Sequence, residues 1–109
     1  MKTAELQGAA LDWAVATANG DKIILAEEDW HWYSTDWAQG GPIIEREEIC
    51  VLAPVRGLWR SSQLQDRRQW PMPPSPGRTQ YGPTPLIAAM RCYVASKLGD
   101  EVEIPEGLK

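Results

Sequence analysis

GPTPLIAAMRCYVASKLGDEVEIP, residues 82–105, carries the clearest structural instruction in this chain. Thr84 is a good helix N-cap, and Pro85 suits the first helical position because the N–H it lacks would be unpaired there anyway. The pattern predicts a helix to Leu98 with Gly99 as its stop. Leu86, Met90, Tyr93, Val94 and Lys97 mark one stripe, widened by Ile87 and Leu98. Ala88, Ala89, Cys92, Ala95 and Ser96 keep the other faces small, so a sheet or a second helix can approach closely. Arg91 lies outside the densest apolar arc. The alternation Glu101-Val102-Glu103-Ile104-Pro105 predicts a final edge strand.

Working outward, residues 5–19 predict a second helix, with Leu6, Ala10, Trp13, Ala14 and Thr17 on its apolar stripe, Thr3 as N-cap and Gly20 as stop. Short β-type runs follow at residues 22–26 and 30–33, and residues 49–53 read as a buried strand ended by Pro54. Gly40-Gly41-Pro42 reads as a sharp break, with a helical turn beginning at Pro42 and Ile43. Six of the nine prolines lie in residues 54–83, and residues 71–77 have polyproline character, so this stretch predicts a long Arg/Pro-rich loop. The expected architecture is a single α+β domain over residues 1–109. Two main helices pack on a short, mostly antiparallel sheet, and residues 54–83 form a loop-rich insertion.

The chain has 109 residues, enough for one domain of ordinary size. No apolar run approaches the roughly 20 residues that span a bilayer. Glu5 stands where a signal peptide would begin its apolar core, so secretion is not expected. Cys50 and Cys92 are too few for a disulfide framework and lack metal-ligand spacing, which predicts reduced thiols. The formal net charge is −4; residues 55–80 carry five Arg against Asp66, or +4, leaving −8 for the rest. That balance disfavours general duplex binding, which wants a net basic face. It permits a local arginine cluster that grips a phosphate or an acidic partner. Six Trp, three Tyr and no Phe mean that every aromatic has a polar handle as well as a flat face.

Catalytic signatures are weak. His31 is the only histidine, so clustered imidazole ligands for a metal are excluded. His31, Ser34 and Asp36 have the letters of a triad, but triads are recognised by geometry rather than adjacency. There is no phosphate-binding Walker loop or dinucleotide glycine fingerprint. The expectation is a protein with no catalytic residues, no metal and no cofactor. Two segments suit binding better. Residues 33–42 combine Tyr33 and Trp37 to stack a planar group, Asp36 and Gln39 to bond polar edges, and Gly40 and Gly41 to admit a ligand to the backbone. The alternative is a tight turn pinned by a buried Trp. The second segment is the helix start at Thr84, where free N–H groups and the helix dipole favour an anion.

Residues 33–47 (YSTDWAQGGPIIERE) and 82–105, together with Thr3, Leu6 and residues 9–16, resemble the NinX-like family of small tailed-phage proteins. The resemblance implies a product made in the cytoplasm of the infected bacterial host. It suggests an anti-defence role, as in phage sponges that sequester cyclic dinucleotides or cyclic ADP-ribose variants without degrading them. For such a ligand, the expected contacts are Tyr33, Asp36, Trp37, Gln39, Gly40 and Gly41, with Arg46, Thr84 and Arg91 for phosphate. A homo-oligomer would help so small a domain enclose the ligand. The alternatives are a protein-binding inhibitor of a host protein and, less favoured, a nucleotide hydrolase or lyase.

Overall fold

The computed structural model describes residues 1–20, 32–63 and 79–105. Within them are three α-helices, α1 (Gly8–Ala18), α2 (Trp37–Glu47) and α3 (Pro85–Leu98), and three strands, β1 (Ile49–Val55), β2 (Leu58–Gln63) and β3 (Gln80–Gly82). A 3-10 turn spans Thr3–Glu5. The α+β class stands, with one helix more than the two expected. The runs at 22–26 and 30–31, His31, and the proline stretch at 71–77 lie outside the described residues.

Helix α3 follows its sequence signals closely. The Thr84 hydroxyl accepts the Ile87 N–H at 3.1 Å, Pro85 opens the helix, and Gly99, at φ 88°, closes it. Leu86 and residues 88–95 are all buried, so the helix is embedded rather than amphipathic. It touches the 3-10 turn, both other helices and all three strands. The small residues at Ala88, Ala89 and Cys92 let these neighbours close in. Leu6, Leu11, Val15, Leu86, Met90 and Val94 are the largest apolar side chains fully inside. In α1 the buried set is Ala10, Leu11, Asp12, Ala14, Val15 and Ala16, while Trp13 is only half-buried, so the packed face is rotated from the expected stripe.

The sheet has the order β1-β2-β3 and is antiparallel throughout. Much of the expected 54–83 insertion is therefore ordered ladder: β1 and β2 form a hairpin, and β3 returns at Gln80. Pro54 does not end β1. The strand lies at the sheet's edge, and the register shifts between Leu52 and Val55, so Pro54 sits in an irregularity where its missing N–H costs no ladder bond. Gly82 has buried surroundings because β3 runs against the start of α3. A Cβ there would lie 2.8 Å from the Ala88 nitrogen.

Four local expectations are corrected. The Gly-Gly-Pro break lies inside α2, which begins at Trp37 because Asp36 caps it through the Ala38 N–H. Pro42 forgoes its bond to the Ala38 carbonyl, but both residues lie on the exposed side of the helix, where water can satisfy that oxygen. Thr3 does not cap α1; its hydroxyl donates to the Gly99 carbonyl at 2.7 Å, tying the chain start to the end of α3. Residues 101–105 do not extend the main sheet. Instead Glu101 bridges Lys2, the N-terminal ammonium donates to the Val102 carbonyl, and the Val102 N–H returns to the Met1 carbonyl. Tyr33, expected at the end of a strand, starts a turn in which the Trp32 carbonyl accepts from Thr35 and Asp36.

Candidate functional site: the outer face of the sheet

The expected site at residues 33–42 is assembled at the first turn of α2, but most of its polar atoms are occupied in building that turn. Asp36 Oδ1 accepts the Ala38 N–H at 2.9 Å and Oδ2 accepts from the Gln39 amide at 3.2 Å. Gln39 Oε1 accepts the Trp32 N–H at 2.8 Å. Tyr33 is buried in the core, and Gly40 is pressed against it: an added Cβ would fall 2.4 Å from the Tyr33 carbonyl oxygen and 2.7 Å from Leu86 Cδ1. Gly40 thus serves close packing of α2 on α3. Trp37 stays 52% exposed and Trp32 53%.

The three expected phosphate groups are dispersed. Arg46 lies nine residues along α2 from Trp37, about 13 Å at 1.5 Å per residue. Its guanidinium bonds Glu47, Asn19 and the Tyr93 hydroxyl, and lies over the Tyr93 ring. Thr84 is the α3 cap. With Pro85 lacking an N–H and the Ile87 N–H taken by Thr84, that helix start offers few donors to an anion. Arg91 is 9% exposed, with Nε donating to the Leu6 carbonyl and Nη1 to the Tyr81 carbonyl, both at 2.7 Å. Burial pushes its pKa down. Arg91 binds backbone, clasping the N-terminal segment and β3 to the central helix.

A different constellation is open to solvent. Strand alternation sends Trp59, Ser61, Gln80 and Gly82 toward α3, and Leu52, Leu58, Arg60 and Tyr81 to the other face. Cross-strand pairing sets Leu52 beside Arg60 and Arg60 beside Tyr81, one row across all three strands. Together with Ala53 and Arg56 these side chains line an open hollow of about 330 Å³. Tyr81 is 50% exposed there. Among the described residues neither Arg56 nor Arg60 has a side-chain hydrogen-bond or ion-pair partner. None of the residues lining the hollow is a carboxylate, imidazole or thiol. The arrangement offers one ring, an aliphatic floor and two exposed cations, which suits a flat anionic group. The sequence shows the arginine excess of this region, but its prolines read as a loop. The alternation of Leu58 and Arg60, opposite Leu52, was the signal available.

Fold and face together describe a small α+β domain with an open, arginine-bearing hollow on its sheet. Residues 2–97 match the family model described as Bacteriophage P22, NinX, and the chain belongs to this NinX family of phage proteins, whose function is not established. Comparison with curated proteins gives no match. No helix among the described residues is long and apolar enough to cross a membrane.

Proposed function

We propose that this protein is a non-enzymatic phage accessory protein that holds a small nucleotide-type ligand on the outer face of its sheet. In a phage family, such holding suits withdrawal of a nucleotide immune signal from the host's defence. The observation that carries the reading is the hollow lined by Tyr81 and by two arginines that have no partner among the described residues. Stacking of a base on an aromatic ring is worth roughly 1–3 kcal/mol. Two charge-assisted hydrogen bonds add roughly 1.5–3 kcal/mol each. The sum, about 4–9 kcal/mol before the cost of immobilising the ligand, falls short of the ~12 kcal/mol of nanomolar capture. Tight sequestration therefore calls for a second copy of the chain closing over the ligand, and light scattering of the loaded protein should find a homo-oligomer.

Calorimetric titration with cyclic dinucleotides, ADP-ribose variants and NAD tests the reading. Bound material is then released by heat and separated by chromatography. Intact ligand supports holding, and altered ligand means an enzyme. Tyr81→Ala and Arg60→Ala should each weaken capture about tenfold without changing the circular dichroism, whereas Trp37→Ala should leave affinity unchanged. The exposure of both Trp32 and Trp37 favours a second reading, docking to a host protein. Silence across the ligand panel, with one stoichiometric host protein recovered through Trp37, would replace the first reading by the second.

A further inference from the structure

The β1–β2 hairpin turns through two residues, Arg56 and Gly57, between the paired Val55 and Leu58. Both have positive φ, 57° and 83°, as a type I′ turn requires. Asn-Gly or Asp-Gly is the sequence such a turn prefers, because Asn, Asp and Gly enter the left-handed region at least cost. Gly57 obeys that preference and Arg56 violates it. A long cationic side chain thus sits at a position where its backbone is strained, at the rim of the hollow, with no partner among the described residues. Strain of this kind persists where a side chain has a task that its backbone conformation does not reward.

We infer that Arg56 is the anion-holding arm of the hollow and selects phosphorylated ligands over their uncharged nucleosides. The hairpin tip places Arg56 at the end of the face away from Ser62, with Leu58 in the first row after the turn and Tyr81 and Arg60 in the row beyond it. A ligand with its ring on Tyr81 therefore directs its phosphate toward the turn. The inference rests on the sheet-face reading above and adds to it a direction, a chemical class and a trade against stability.

Arg56→Asn separates the two roles, because it restores the preferred turn and removes the cation. Its melting temperature should rise by about 3–6 °C. Calorimetry with adenosine monophosphate and adenosine at millimolar concentration should show the wild type favouring the phosphorylated form by about tenfold, and Arg56→Asn losing most of that preference. Arg56→Lys, which keeps both charge and strain, should hold the wild-type melting temperature and part of the preference. A melting temperature that does not rise in Arg56→Asn overturns the strain argument. Full retention of the phosphate preference in Arg56→Asn, with Tyr81→Ala losing both ligands, overturns the role of Arg56 and leaves the sheet-face reading standing. Failure of the wild type to bind either probe overturns both.

Discussion

Two adjacent glycines of α2 differ in what surrounds them. Gly→Ala inside a helix ordinarily gains about 1 kcal/mol, through lower backbone entropy in the unfolded chain. At Gly41 the nearest atom beyond its chain neighbours is Trp37 Cε3 at 4.0 Å, but the Cδ of Pro42 crowds a Cβ on the helical residue before it and offsets the propensity gain, so Gly41→Ala should change stability by less than about 1 kcal/mol. At Gly40 the same methyl meets the Tyr33 backbone oxygen, which cannot swing aside. The steric cost, about 1–3 kcal/mol or more, exceeds the propensity gain, and Gly40→Ala should lower the urea midpoint. Buried Asp12 is a second residue whose role lies in the tertiary structure: Oδ1 accepts both the N–H and the hydroxyl of Ser34, at 2.8 and 2.7 Å. Asp12→Ala strands those donors and should cost about 2–4 kcal/mol in chemical denaturation. Arg91 shows the limit of reading single residues. An arginine outside the apolar stripe of a helix looks like a surface cation until β3 and the chain start supply carbonyls around it.

At the scale of elements, the junction of α2 and α3 is governed by charge as well as packing. Glu47 lies 3.2 Å from Arg46 and 3.4 Å from Lys97 of α3. Burial works to raise the Glu47 pKa, but the hydrogen bond from Arg46 and the charge and hydrogen bond of Lys97 together outweigh it, leaving the value below the ordinary 4.5. A carboxylate with a depressed folded-state pKa stabilises the fold above its unfolded value and loses that contribution as pH falls through the folded one. The melting-temperature gap between wild type and Glu47→Gln should therefore be constant at neutral pH and shrink below about pH 4.5. Elements also explain why the Gly-Gly-Pro signal misled. Breaker residues act through unpaired backbone groups, and on an exposed helix face water removes much of that penalty, so the Asp36 cap prevails. The hairpin was hidden for a related reason: Pro54 and an arginine-rich composition resemble a loop, and the turn lacks the Asn-Gly or Asp-Gly pair that marks a two-residue hairpin.

For the whole molecule, α3 is the shared partner of every other described element, and the chain ends are tied to each other beside its C-terminus. Loss of any one layer exposes α3, so unfolding should be a single cooperative transition. Urea curves followed by tryptophan fluorescence and by far-ultraviolet circular dichroism should coincide; separated midpoints would show that the sheet or the helical layer opens independently. The α+β class, helix α3 with its cap and stop, a strand beginning at Ile49 and the phage family were legible along the chain, but that strand is an edge with Cys50, Leu52 and Ala53 exposed, not the buried one expected. Each depends on signals confined to neighbouring residues: side-chain oxygens, proline and glycine geometry, and periodicity. The site was legible only in its ingredients. Charge excess and aromatic content are properties of composition, but composition does not say whether an arginine meets a carbonyl, as Arg91 does, or solvent, as Arg60 does. The sequence by itself determined the local elements and the uneven charge of this protein. That Arg56, Arg60 and Tyr81 share one face while Asp36, Gln39 and Arg91 bond within the fold follows from strand register and burial, which bring together residues far apart in the chain.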